Sequence, residues 1–167
     1  MMMVDAGLLV KALDGLPLEQ REEALRLAQQ YYALRNAEVQ KASFMDFVKG
    51  QWNSAYGEAY VSGAHHKIVA EAYEAVASGK CKRLIVCLPP RHMKSVMGSV
   101  FYPAWAFGKR PSMKMIQASN TTELARGFGA KVRDLLKSPS YSAVFSETQL
   151  ASKISATGMW KTSTLVS

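Results

Sequence analysis

The residues best equipped for chemistry lie in one short run, Leu88-Pro89-Pro90-Arg91-His92-Met93-Lys94-Ser95. A lysine followed by a serine hydroxyl, set between an apolar run and a helix, is the setting a phosphate-binding loop requires. Backbone N–H groups at a helix N-terminus point at an anion, and the helix dipole adds favourable potential. On this reading Lys94 reaches the β- and γ-phosphates as a flexible cation, and Ser95 offers its hydroxyl to Mg²⁺. Arg91 adds a fork of donors for the γ-phosphate, where charge shifts during transfer. Pro90, His92 and Met93 shape the cradle between them. Against the pattern G-x-x-x-x-G-K-[ST] the run fails at both glycines, whose places Leu88 and Met93 occupy. A Cβ at Met93 is tolerable only if the backbone stays outside the left-handed region. As a bare pattern, Lys-Ser after a strand favours an ordinary surface turn.

The elements that must position this run are legible from periodicity and punctuation. Helices are expected over about Val4–Leu13 and from Pro17 to about Lys41, with Pro17 and Glu19, Glu22 and Glu23 suited to a first turn. Ser43 with Asp46 offers a capping-box start for a shorter helix carrying Phe44, Phe47 and Val48. The stretch from Gly50 to Gly63 reads as a loop, and a helix from about His65 to Ser78 follows with Gly79 as its stop. Arg83-Leu84-Ile85-Val86-Cys87-Leu88 is a continuous apolar run that fits a strand buried on both faces. Residues from about Lys94 to Phe107 read as helical, with Pro103 interrupting the path. Lys114-Met115-Ile116-Gln117-Ala118 is a second strand candidate, and Asn120 with Glu123 caps a helix that Ser138-Pro139 stops near Lys137. A further weak strand is expected near Lys153 to Ala156. This order describes an α/β domain built on a parallel sheet with flanking helices.

The string Pro-Pro-Arg-His-Met-Lys-Ser, Pro89 to Ser95, resembles the deviant Walker A motif of phage terminase large subunits, because Pro-Pro, Arg and Lys-Ser recur in register at the end of an apolar run. Phe44 to Trp52 resemble the family's segment ahead of its ATPase core. Phe101, Pro103, Ala104 and Trp105 resemble its Phe-x-Pro-Ala-Trp run. Ser119, Leu124 and Ala125 resemble its Ser-Tyr-x-x-x-Leu-Ala motif, with Asn120 in the Tyr position. His66 matches a position from which these proteins contact adenine, although His65 beside it leaves the register open. The likeness covers roughly residues 44 to 145.

The resemblance implies a partial P-loop NTPase fold, with an N-terminal helical segment over residues 1–42 and the N-terminal part of the ATPase domain over 43–167. It implies ATP and Mg²⁺ as cofactors, held by Pro90, Arg91, His92, Met93, Lys94 and Ser95, with Arg91 as γ-phosphate sensor. Double-stranded DNA, a small terminase subunit, a portal protein and further copies in a ring are the implied partners, in the cytoplasm of a bacterial host. An ATPase of this class also needs an acidic residue at the end of another apolar strand and a Glu that orients water. No apolar run ending in Asp-Glu or Asp-Asp follows Lys114, and the family's nuclease carboxylates are absent. The chain alone is therefore expected to bind nucleotide without turnover, as a fragment truncated before those strands. Two alternatives stand open: a helicase-like or other P-loop ATPase fragment, and a non-catalytic remnant that binds DNA or partner proteins.

Composition sets the frame for these readings. Lys and Arg number 21 against 13 Asp and Glu, a net charge of +8 that favours polyanionic partners. The hydrophobic fraction of 49% is enough for a core. No apolar run approaches the ~18 residues needed to cross a bilayer, and the N-terminus lacks the basic region of a secretion signal. Cys81 and Cys87, held ~20 Å apart by an extended strand, are read as reduced thiols. Trp105, Tyr102 and Phe107 are expected in the core. Lys109, Arg110 and Lys114 read as a solvated turn, and Arg126 as an exposed helical residue or a DNA or inter-subunit contact.

Overall fold

The computed structural model describes residues 17–150 and 162–164; the helix expected over Val4–Leu13 and the strand expected near Lys153 to Ala156 lie outside them. The chain divides into two compact units, Met1–Asn36 and Ala37–Ser167. Helix α1 runs Leu18–Ala42, with Glu19 in its first turn and Lys41 in its last, as the charge pattern dictates. In the first unit Leu18, Leu27 and Leu34 are exposed, and the rings of Tyr31 and Tyr32 meet edge to face at 5.9 Å.

The second unit is a helical assembly around an aromatic core. Helix α2, Phe44–Tyr56, starts at Ser43, whose side chain accepts from Asp46 N–H. Glu74 accepts from Phe44 N–H at 2.6 Å, satisfying another donor at that helix end. The helix runs on to Gly57, which ends it in the left-handed conformation at φ 70° and donates to Asn53 O. The loop expected from Gly50 is therefore shorter, from 57 to 63. Gly50 stays helical because its bare Cα lies against the buried Gln40 side chain, which itself accepts from Gln51 Nε2. Helix α3, Ala64–Ala77, is followed by Gly79 at φ 79°.

After the phosphate-loop candidate, α4 (Lys94–Val96), a π-helical turn (Met97–Phe101) and α5 (Tyr102–Lys109) run end to end. Pro103 was expected to break this path, and the π turn absorbs it. A proline at 103 cannot donate to Ser99 O, four residues earlier; Gln117 Nε2 donates to that carbonyl instead, at 3.3 Å. Helix α6, Thr122–Lys137, is capped by Thr121 accepting from Leu124 N–H, one residue beyond the expected Asn120. Ser138 ends α6 and caps α7, Pro139–Val144, with Pro139 at its first position.

The expected α/β architecture, a partial P-loop fold with a parallel sheet, is not what the chain adopts: it is mostly helical. Residues 83–88 and 113–118 form neither helix nor strand, and among the described residues neither pairs with a strand. Both show the period of two that extended backbone imposes. Val86 and Leu88 pack against the core from one run and Met115 from the other, while Ile85 is 88% exposed and Ile116 97%. A continuous apolar run was read as buried on both faces, whereas the helices offer it one face only. Extended conformation is local, but a sheet needs a partner backbone. The one pairing among the described residues is antiparallel, β1 (Thr148–Leu150) with β2 (Thr162–Thr164), in register Thr148 with Thr164.

Phe44, Phe47, Phe101, Trp105 and Tyr141 are the large rings of the core. Their polar edges are satisfied within it: Trp105 Nε1 donates to Gln40 O at 3.0 Å and Tyr141 Oη to Ala104 O at 2.9 Å. Tyr102 and Phe107 are buried as expected. A Cβ on Gly108 would meet the Phe145 ring at 2.5 Å. That ring is held against Phe47 and Tyr141 at 5.9 and 5.2 Å, so it has no room to retreat. Gly108→Ala should cost about 1–3 kcal/mol of stability by overpacking, although alanine is by about 1 kcal/mol the better helix former. Urea denaturation measures this, and an unchanged midpoint would mean that Phe145 is not seated there.

Cys81 and Cys87 are free thiols. Among the described residues no helix is long and apolar enough to cross a membrane.

Candidate functional site

The run Leu88 to Ser95 joins the first extended segment to the start of α4. Leu88 is anchored against the core, and Pro90, Arg91, His92, Lys94 and Ser95 are exposed. Two residues turn the loop through the left-handed region, Arg91 at φ 65° and Met93 at φ 59°. Met93 is the residue that caps α4, and its carbonyl accepts the first helical bond from Met97 N–H at 2.8 Å. The expectation that Met93 avoids left-handed backbone is thus overturned. Its half-buried side chain packs against the core, an anchorage that a glycine would lack.

Each non-glycine residue held left-handed costs about 1–2 kcal/mol. The exposed Arg91 side chain offers no packing to offset this. Arg91→Gly should therefore raise stability by about 1 kcal/mol, while weakening any phosphate held by the guanidinium. Paired denaturation and anion titrations check both signs. A loss of stability would show that Arg91 is not strained.

Polar contacts within the loop are few. Lys94 Nζ folds back to Leu88 O at 3.4 Å, a long bond easily exchanged for an anion. His92 Nδ1 lies 2.8 Å from Pro90 O. A carbonyl only accepts, so Nδ1 is the donor in this contact. An open cleft of about 480 Å³ adjoins Lys94 and Ser95, with Leu84, Val86 and Tyr73 among its walls. Burial, with Tyr102 as the second cause, raises the Tyr73 pKa, so its hydroxyl stays a donor at neutral pH. A second cleft, of about 390 Å³, lies away from the loop, beside Glu74, Lys80 and Trp105.

His66 is 5% exposed at the head of α3. Its Nδ1 accepts from Gly63 N–H at 3.1 Å and faces Tyr60 Oη at 2.5 Å, so the ring proton sits on Nε2. Any adenine contact by this residue would have to use that Nε2–H. Burial first, then the neighbouring His65 and His92, lowers the His66 pKa. The structure brings His66 and His92, two sequence-predicted residues, into one cluster through a residue the sequence left in doubt. His65 lies 4.1 Å from His66 and 5.3 Å from His92 between ring centroids. The adjacent His65-His66 pair at a helix start was the only signal in the sequence.

The other basic residues stand apart. Lys109 lies over the Trp105 ring at 4.4 Å, Arg110 donates to Ala77 O, and Arg126 is exposed on α6. Among the described residues no group of three or more His, Cys, Asp or Glu is placed to hold a metal ion. Comparison with known proteins finds no matching family model, no matching curated protein and no matching solved structure.

Proposed function

We propose that the loop from Leu88 to Ser95 binds the phosphates of ATP, and that the chain is the nucleotide-binding part of a motor resembling the phage terminase large subunit. Such a motor drives double-stranded DNA into procapsids in a bacterial cytoplasm, as a ring working with a portal and a small subunit. The observation that carries the reading is the double left-handed turn that ends at Lys94. It joins an extended segment to a helix start and leaves Arg91, Lys94 and Ser95 exposed on one short loop. Exposed cations beside backbone N–H groups at a helix start suit a polyphosphate.

Mg²⁺ fits this site as a companion of the phosphates. Ser95 supplies one hydroxyl, and Mg²⁺ keeps waters and phosphate oxygens for its other positions. Bound there, it would neutralise charge on the β- and γ-phosphates. Lys94 would leave Leu88 O for phosphate oxygen, and Arg91 would hold the terminal phosphoryl group. The proposal is one of binding, with DNA as partner favoured by the +8 charge.

Titration of the chain with ATP, with and without Mg²⁺, tests the proposal against Lys94→Ala. If ATP fails to bind and the substitution leaves DNA affinity unchanged, a non-catalytic polyanion-binding protein is the better description.

A further inference from the structure

We propose that the cleft walled in part by Lys94 and Ser95 seats the base and sugar of the bound nucleotide, with the Tyr73 hydroxyl as a donor to them. The inference rests on the phosphate-binding reading and adds to it the place of the rest of the ligand, away from His66.

The cleft and the phosphate loop share residues. Lys94 and Ser95 are themselves part of its wall, whereas none of His65, His66 and His92 lines it. A ligand whose phosphates sit at Lys94 and Ser95 must place its next atoms beside them, and this cleft of about 480 Å³ is the adjoining space. Small-molecule sites are commonly clefts of about 300–1,000 Å³ with mostly apolar walls and a few placed polar groups. The apolar part here comes from two elements. Leu84 and Val86, two positions apart, share one face of the run 83–88, and Tyr73 and Val76, three apart, share one face of α3.

The polar part is a set of hydroxyls that the fold leaves unspent. Tyr73, Ser95 and Ser99 all belong to the wall, and among the described residues none of their hydroxyls has a hydrogen-bond partner. Tyr73 is the one of the three held by packing. Its ring lies 4.8 Å from Tyr102 and 5.7 Å from Phe44 between centroids. Its hydroxyl lies against Gly98, where a Cβ would collide with it, so the bare Cα of Gly98 leaves that hydroxyl its room at the wall. A side chain fixed in this way loses little freedom when a ligand arrives. Burial first, and then Tyr102, raises its pKa, so the hydroxyl donates at neutral pH.

These walls match a flat, weakly polar ring and a sugar whose hydroxyls need partners. Aliphatic side chains cover the ring, and hydroxyls, which donate or accept by rotation, serve the sugar and the ring edge. An inorganic polyphosphate would use the cations and leave Leu84, Val76 and Val86 in water.

ATP and inorganic tripolyphosphate, each with Mg²⁺ and titrated on the full chain, are the paired probes. ATP should bind about tenfold more tightly, although tripolyphosphate carries at least as much charge. Tyr73→Phe, which keeps the ring, should weaken ATP by about three- to tenfold and leave tripolyphosphate within about twofold. In the unsubstituted chain, base protons of bound ATP should show NMR cross-relaxation with the methyl groups of Leu84 and Val86, a readout that stands even if Tyr73→Phe fails to fold. Equal affinity for the two probes overturns this inference alone. So does an ATP affinity that Tyr73→Phe leaves unchanged, an equal loss for both probes, or base protons that meet the His66 ring in place of those methyls. If neither probe binds, the phosphate-binding reading falls, and this inference with it.

Discussion

Lys94→Ala should weaken ATP binding by about ten- to a hundredfold, the equivalent of about 1.5–3 kcal/mol for a hydrogen bond to a charged group. The same substitution should leave stability within about 0.5 kcal/mol, the usual range for an exposed position. The asymmetry follows from the geometry. Lys94 is exposed, and its bond to Leu88 O is long, at 3.4 Å. Folding gains little from that bond, whereas a polyphosphate would take the ammonium as a direct counter-charge. Lys94→Arg is the informative companion, because it keeps the charge but replaces a compact point with a planar fork. Isothermal titration with ATP and Mg²⁺ reads both variants. Equal affinity for Lys94→Ala and the unsubstituted chain would end the phosphate-binding proposal. Steady hydrolysis by this chain, abolished by Lys94→Ala, would show that it carries more of the chemistry than binding.

The largest effect on stability is expected at Trp105. Its side chain is 1% exposed, lies 5.4 Å from the Phe44 ring and donates to Gln40 O. Truncation to alanine removes the ring, opens a cavity and leaves a buried carbonyl without its donor. Substitutions of this kind cost about 3–5 kcal/mol, a large share of the 5–15 kcal/mol that typically holds a domain together. Trp105→Phe separates the contributions. It keeps most of the volume and loses the Nε1–H, so about 1–3 kcal/mol should remain as the cost of an unsatisfied Gln40 O. Guanidinium denaturation of both variants measures the difference. A cost below about 1 kcal/mol for the alanine variant would contradict a core built on this ring.

Much of the helical structure was legible because its signals lie within one turn of chain. Ser43 ahead of Phe44, Gly79 after α3 and Ser138-Pro139 after α6 act through their own backbone geometry or a bond to a neighbour. Thr121 displaced Asn120 as a cap because two adjacent polar residues compete for the same N–H groups. Gly50 misled because glycine in a helix usually signals a break, and its reason to stay was the Gln40 side chain, ten residues back. The two extended runs misled in another way. Leu84 to Leu88 and Lys114 to Ala118 carry β-type composition, yet nothing in their own residues states whether another backbone lies alongside.

The candidate site divides along the same line. The sequence by itself determined that Lys94 and Ser95 follow an apolar extended run and open a helix, since residue type and order suffice for that. Tertiary structure decided the rest. It held Arg91 and Met93 in left-handed backbone, set Gln117 on Ser99 O, left Ile85 and Ile116 exposed, and brought His92 against a histidine 27 positions earlier in the chain, His65. Caps and turns depend on bonds between residues a few positions apart. Strand pairing and contact between distant imidazoles depend on which surfaces meet once the aromatic core closes, and no local pattern encodes that meeting.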